Sequence, residues 1–341
     1  MDEVARLPEE DRRDLFRETA AGRGLPDALV EKDFWVCWLL KQLFTIDQFE
    51  NRLMFKGGTA LSKIHGLIER FSEDIDLAVD WAFLGFEGDR DPNAEMSNSK
   101  RRLLLDEMGT ACTDYIATDF LSVLKERVAN RLGSDGGWRL RIETDAPHVV
   151  WFDYPATLEL SSYLKPAVQL EMGTHAAFRP SGRYSMTPFA AQDYGGLFLE
   201  PSCEVCAIAP ERTFWEKATI LHQEFHRPAD KVLPKGYARH YYDVVMLARS
   251  EVADRALAAS DLLADVVLHK QRFWPRGWAR YDLAVPSTLA VLPAERWMQE
   301  LERDYRDMSV MFYGDAPSFD ELLEGLRVLE TQIRAMTAEE R

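Results

Sequence analysis

Phe55-Lys56-Gly57-Gly58-Thr59-Ala60-Leu61, followed a helix length later by Phe71-Ser72-Glu73-Asp74-Ile75-Asp76-Leu77-Ala78-Val79, decides the reading of this chain. Leu53, Met54 and Phe55 form a short apolar run ending in a glycine pair, so residues 51–56 read as a buried strand closing in a turn. Glycine reaches backbone conformations closed to other residues and lets a ligand approach the chain closely. Thr59 is expected to cap a helix over residues 60–70, with Leu61, Ile64, Leu67 and Ile68 on its buried side. A strand, a glycine turn and a helix N-terminus offer backbone N–H groups to an anion, and phosphate is the natural candidate.

In the second stretch Asp74 and Asp76 share one face of a strand, while Ile75 and Leu77 share the other. Two carboxylates roughly 7 Å apart along a strand suit one or two hard cations. Magnesium takes one or two carboxylates together with substrate phosphates. Alone, Gly-Gly-Thr is a turn and Asp-x-Asp a solvated strand edge. In this order they point to nucleotidyl transfer, because an aspartate pair among Ile75, Leu77 and Val79 is costly without cations or donors.

Together with Glu31-Lys32-Asp33-Phe34-Trp35, Glu211-Arg212-Thr213-Phe214-Trp215-Glu216-Lys217 and Arg239-His240-Tyr241-Tyr242-Asp243, these stretches resemble the AbiEii/AbiGii toxin nucleotidyltransferases. That family belongs to the DNA polymerase β-like superfamily and includes toxins of type IV toxin–antitoxin pairs. The resemblance runs over residues 30–247. It implies an α+β fold, with a polymerase β-like core of mixed β-sheet and flanking helices and a mainly helical C-terminal subdomain. It also implies that Asp74 and Asp76 hold metal, that Gly57, Gly58 and Thr59 form the phosphate-side turn, that Lys217 binds the triphosphate, and that Asp243 is an essential acid. Arg239 and His240, in the same motif as Asp243, are expected at the nucleotide. By position Glu171 resembles the family's third acidic strand residue, a metal ligand or general base. Glu143 and Glu159 also lie in alternating segments and stay open for that role.

Physical reading of the later motifs leaves alternatives. Lys217 sits at the edge of the stripe Phe214, Ala218, Leu221 and Phe225, so its ammonium either enters a cleft or snorkels at the surface. Asp243 follows Arg239 by one helical turn, so it either serves the site or forms a helix-surface ion pair with Arg239. His240 either contacts a nucleotide or packs.

The resemblance further implies a nucleoside triphosphate substrate, Mg2+ or Mn2+, and the 3′ end of tRNA as acceptor, with aminoacylation blocked. It implies a cognate antitoxin, an AbiEi-like winged-helix protein encoded nearby. Transfer to a small molecule of aminoglycoside type, transfer to protein hydroxyls as in self-AMPylation, and a non-catalytic binding module of the same fold are the alternatives. The 41 basic against 57 acidic residues, a net charge of −16, argue against a uniformly basic nucleic-acid binder. Basic residues do cluster locally, at 100–102, at 125–131, at Lys231, Lys235, Arg239 and His240, and at Lys270, Arg272, Arg276 and Arg280. The last set is interleaved with Phe273, Trp274, Trp278 and Tyr281, which suits either stacking on unpaired bases or a helix junction in the core. Residues 228–235 read as a loop contacting the acceptor. Ser72, beside the aspartates, would hinder the site if phosphorylated.

A chain of 341 residues with 46% hydrophobic content buries a sizeable core and suggests two subdomains. Residues 1–200 are expected to form the nucleotidyltransferase core with N-terminal helices, and residues 201–341 a helical domain completing the active-site cleft. Helices are expected over 26–44 and within 93–132, strands over 138–144, 149–154 and 168–172, and helix almost throughout after 201. The charged start, Pro8-Glu9-Glu10-Asp11, does not read as a signal peptide, and no apolar run reaches a membrane span, so a cytoplasmic protein is expected. Cys203 and Cys206, a lone C-x-x-C, would be a redox pair or half a zinc site only with further partners.

Overall fold

The computed structural model describes residues 1–72, 74–158 and 165–339, with the backbone alone at 260 and 337–339. The residues group into two compact units, Met1–Ile64 with Glu73–Ile208, and His65–Ser72 with Ala209–Arg341. The architecture is α+β. No helix among the described residues is long and apolar enough to cross a membrane.

The first unit is built on a seven-stranded mixed sheet. Its strands are β1 (Leu53–Lys56), β2 (Asp74–Val79), β3 (Arg139–Ile142), β4 (Val149–Asp153), β5 (Ala167–Gly173), β6 (Ser181–Met186) and β7 (Cys203–Ile208), in the order β3-β4-β5-β2-β1-β7-β6. β2 pairs parallel with β5 and antiparallel with β1, while β1 runs parallel to β7. Period-two alternation divides the faces. Ile75 and Leu77 of β2, Val150 and Phe152 of β4, and Val168 and Leu170 of β5 are buried. Onto this side packs the helix Asp27–Phe44, whose Trp38 stacks on Phe152 at 5.7 Å and whose Trp35 stacks on Tyr154 at 5.6 Å. None of the eighteen residues of that helix is exposed, and the buried set includes Glu31, Lys32, Asp33, Lys41 and Gln42 beside its apolar side chains. The region 93–132 forms helices Asn98–Tyr115 and Leu121–Leu132, joined by a π-turn at Ile116–Phe120.

Three expectations are corrected. The helix after the glycine pair spans only Gly57–Lys63, with Lys56 rather than Thr59 at its N-cap position, and the chain then turns at Gly66, whose φ is +59°. A glycine in the left-handed region ends a helix that apolar spacing alone would extend to residue 70. Residues 203–208 form a strand rather than helix: Cys203, Val205 and Ala207 are buried between more exposed neighbours, a short alternation just after a proline. The edge strand β6, Ser-Gly-Arg-Tyr-Ser-Met, has too little apolar content to be read from sequence.

The second unit is helical, with Pro210–Phe225, Ala238–Ala248, Glu251–Ala258, Ser260–Phe273, Met298–Asp307 and Phe319–Glu339 as its main elements. Proline at the first position of Pro210–Phe225 starts that helix without losing a hydrogen bond. The loop expected over residues 228–236 lies in the irregular stretch between Pro210–Phe225 and Ala238–Ala248. Residues 65–72 join this unit as an extended segment. Phe71 N–H donates to Met311 at 2.7 Å, Tyr313 N–H to Glu69 at 3.0 Å, and Tyr242 Oη accepts from Glu69 N–H at 3.1 Å.

Candidate active site

On the face of the sheet opposite the Trp35 layer, Asp74 and Asp76 of β2 both point outward and remain partly exposed. Register fixes their neighbours. Asp76 lies opposite Glu171 of β5 on one side and Lys56 of β1 on the other, and Asp74 lies opposite Gln169. Residues paired across adjacent strands project to the same face. Glu171 thus stands beside Asp76, exposed to solvent. Glu143 pairs instead with Arg141 at 3.6 Å, and Glu159 lies outside the described residues.

Gly57 has a φ of +82°, and a Cβ there would come within 1.9 Å of Asp76 Oδ2. The glycine is therefore required twice, by the backbone and by the carboxylate pressed against it. Thr59 does not cap the helix; its hydroxyl donates to the Asp74 carbonyl at 2.5 Å and ties the turn to β2. Lys56 Nζ is 3.6 Å from Asp76 Oδ1, a counter-charge that sequence reasoning passed over although it stands next to the glycine pair.

Glu31 and Asp33 tie the helix Asp27–Phe44 to its surroundings. Glu31 accepts from Thr157 N–H at 2.7 Å, Thr157 Oγ1 at 2.9 Å and Leu158 N–H at 3.2 Å. Asp33 accepts from Phe189 N–H at 2.8 Å and pairs with Lys63 at 2.5 Å, which anchors the far end of the Gly57–Lys63 helix. Burial pushes the Glu31 carboxyl up despite these donors.

An all-oxygen donor set of two or three carboxylates with open coordination fits a hard divalent cation. Among the described residues no three His, Cys, Asp or Glu side chains are already gathered closely enough to hold one unaided. The fit is to an ion that also takes ligands from a triphosphate. Cys203 and Cys206 are free thiols, three positions apart on β7 and so on opposite faces of the strand, which removes them as a redox or zinc pair.

The second unit holds a different kind of cluster. Asp243, on Ala238–Ala248, is fully buried. Its Oδ1 accepts from Arg70 Nε at 2.7 Å, and its Oδ2 accepts from Arg70 Nη2 at 2.8 Å and from Lys217 Nζ at 2.7 Å. Burial would raise this carboxyl, but Arg70 and Lys217 hold it well below the usual carboxylate range. Burial lowers the Lys217 ammonium, and Asp243 opposes that fall. Lys217 is therefore neither a snorkelling surface lysine nor a free cation. The surface Arg239–Asp243 pair does not form: Arg239 is exposed, and Arg70, from a stretch whose apolar spacing reads as helix, is the bidentate partner instead. His240, held neutral by burial and by the nearby Lys217 and Arg239 charges, has no partner for Nδ1 among the described residues.

The basic and aromatic stretch divides. Phe273 and Tyr281 pack inside, with Tyr281 Oη donating to Gln223 at 3.0 Å, and Lys270 is buried with Nζ donating to the Glu216 carbonyl at 2.8 Å. Trp274 is exposed, and Trp278 is ringed by Arg227, Lys231 and Arg276 at 5.0, 5.3 and 5.7 Å from its centroid.

A family model described as nucleotidyl transferase AbiEii toxin, type IV toxin–antitoxin system, matches residues 38–325. The chain belongs to this family. It is a nucleotidyltransferase toxin, which brings a nucleoside triphosphate substrate and an antitoxin partner. Among solved structures, MenT4, nucleotidyltransferase toxin Rv2826c from Mycobacterium tuberculosis H37Rv, is similar at 17% identity over 95% of this chain and 98% of that chain, with a TM-score of 0.43. No curated protein sequence matches the chain.

Proposed function

We propose that this AbiEii toxin transfers a nucleoside monophosphate from a nucleoside triphosphate to the 3′ end of tRNA in a divalent-metal-dependent reaction, stopping aminoacylation. The observation that carries this reading is the in-register set Asp74, Asp76 and Glu171 on an open sheet face, with Gly57 pressed against Asp76. Magnesium or manganese bound by these carboxylates would supply Lewis-acid polarisation of the phosphates and of the acceptor hydroxyl. Gly57, Gly58 and Thr59 lie against the phosphates. Glu171 either completes the cation's ligands or takes the proton of the attacking hydroxyl. The acceptor oxygen bonds to the α-phosphorus, the bond to the β-phosphate breaks, and pyrophosphate leaves. Lys217, kept in place by Asp243, neutralises charge on the departing phosphates, with Arg239 and His240 beside it.

The tRNA assignment draws support from Trp278 and its three surrounding cations, a composition suited to unpaired bases at a single-stranded end. A tRNA acceptor places the action in the cytoplasm, and the antitoxin proposed is a winged-helix protein encoded nearby. The test is incubation of the protein with magnesium, each labelled nucleoside triphosphate and total tRNA, beside Asp76→Ala. Label on tRNA with the wild type and none with the variant is the expected result. Label on the protein itself, or only on an added aminoglycoside-type acceptor, would overturn the tRNA assignment.

A further inference from the structure

One row of the carboxylate face extends away from the metal-side residues. Asp74 on β2 is paired with Gln169 on β5, Gln169 with Trp151 on β4, and Trp151 with Arg141 on the edge strand β3. At about 4.8 Å per strand, Trp151 lies roughly 10 Å and Arg141 roughly 14 Å from Asp74 across the sheet. Trp151 has no role in the core: its neighbours Val150 and Phe152 are the residues that β4 buries, while Trp151 faces the polar side and stays partly exposed. Its nearest companions are cations. Arg141 Cζ stands 5.1 Å and Lys165 Nζ 5.0 Å from its ring centroid. Arg141 is fixed by Asp153 at 3.1 Å and Glu143 at 3.6 Å. Lys165 is exposed and has no ion pair with any described carboxylate. The row therefore combines a flat aromatic surface, a guanidinium held in place, and an exposed ammonium that no described carboxylate pairs.

Resting on the RNA-acceptor reading above, we propose that Trp151, Arg141 and Lys165 form the acceptor subsite of this sheet. An unstacked base close to the 3′ end of a single-stranded RNA lies on Trp151 and Arg141, and Lys165 binds the adjoining phosphate. The position follows from the chemistry. Gly57 and its turn border Asp76 from the β1 side, so the triphosphate occupies that side and the attacking hydroxyl arrives from the β5, β4 and β3 side, as in-line displacement requires. The distance of roughly 10 Å from Asp74 to Trp151 is short enough for the last few nucleotides of a single strand to span. Aromatic platforms beside cations bind unpaired bases with little regard for sequence.

The test uses the full chain and a short single-stranded RNA with a free 3′ hydroxyl, with binding followed by fluorescence anisotropy and transfer by label incorporation. Trp151→Ala is expected to weaken RNA binding and raise the RNA KM by roughly tenfold, the loss of one stacked base, with Trp151→Phe within about threefold of wild type. Neither changes the KM for the nucleoside triphosphate. Lys165→Ala, an exposed position without consequence for folding, is expected to lower the log–log salt slope of binding by about one. RNA binding and RNA KM unchanged in Trp151→Ala and Lys165→Ala, with a wild type that does modify RNA, would overturn the subsite alone. A loss that falls on the nucleoside triphosphate KM would overturn it too, because Trp151 would then serve the other substrate. A wild type that modifies no RNA at all would overturn the acceptor reading, and the subsite with it.

Discussion

The carboxylates of the sheet face and the carboxylate of the helical unit are satisfied to very different degrees. Asp76 keeps 24% of its side chain in solvent and has Lys56 at 3.6 Å, whereas Asp243 is fully buried and receives three contacts of 2.7 to 2.8 Å from Arg70 and Lys217. The first arrangement leaves acceptor capacity for a ligand to fill. In the second, capacity is already consumed, and what it yields is a lysine held at a fixed position in a buried setting. Both belong to one enzyme, and removing a carboxylate from each should have very unequal consequences for stability.

Asp243→Asn is expected to cost about 3–5 kcal/mol in urea denaturation, because Arg70 and Lys217 are left buried without their counter-charge. Asp76→Asn is expected to stay within about 1 kcal/mol of wild type, the range of an exposed pair, yet to lose transfer by at least about 10³-fold, since several kcal/mol of transition-state stabilisation go with a metal ligand. Comparable destabilisation by the two variants would break the contrast. Acid sharpens it. The folded Asp243 carboxyl lies below its unfolded value of about 3.9, so its contribution is fully present above that value and is lost as pH falls through the folded one. The stability gap between wild type and Asp243→Asn should therefore be constant near neutrality and close only in strong acid.

Gly57→Ala tests whether the open face is as closely shaped as the buried cluster. The added Cβ meets Asp76 Oδ2 at 1.9 Å, and the positive φ strains any other residue. A stability loss of about 1–2 kcal/mol is expected from the backbone, and a fall in transfer of roughly 10²-fold from a carboxylate displaced by about 1 Å. Activity that falls no further than stability would mean that Asp76 has room to move.

The open face was far more legible in the sequence than the buried cluster. Alternation over residues 74–79 and 167–173 is a local, period-two signal, and it put Asp74, Asp76 and Glu171 on polar faces before register brought Asp76 and Glu171 side by side. Arg70 carried no such signal. It lay in a stretch whose apolar spacing matched a helix, and only Gly66 at positive φ marked the break that turns residues 65–72 toward the helical unit. Asp243 had a nearer cation one turn away in Arg239, and a partner 173 residues distant cannot be inferred from helical spacing. Long-range ion pairs are decided by tertiary packing, which local periodicity does not encode.

Lys270 separates a paired buried charge from a poorly paired one within the same unit. Burial pushes its ammonium down to about 7, Glu216 and Glu224 resist the shift, and Lys217 and Arg276 add to it. Its one strong contact is to a carbonyl, the Glu216 oxygen at 2.8 Å, and not to a carboxylate. The folded value lies below the unfolded value of about 10.4, so between these two pH values the unfolded chain binds more protons and stability rises with pH. This is a penalty at neutral pH that disappears in alkali, whereas Asp243 gives a contribution that disappears in acid. Lys270→Met is expected to remove the penalty, gaining on the order of 1 kcal/mol relative to wild type at pH 7 and losing that advantage towards pH 10. An advantage that does not vary over this range would show that Lys270 keeps its charge through the Glu216 carbonyl and the surrounding carboxylates, and that the carbonyl does for it what Asp243 does for Lys217.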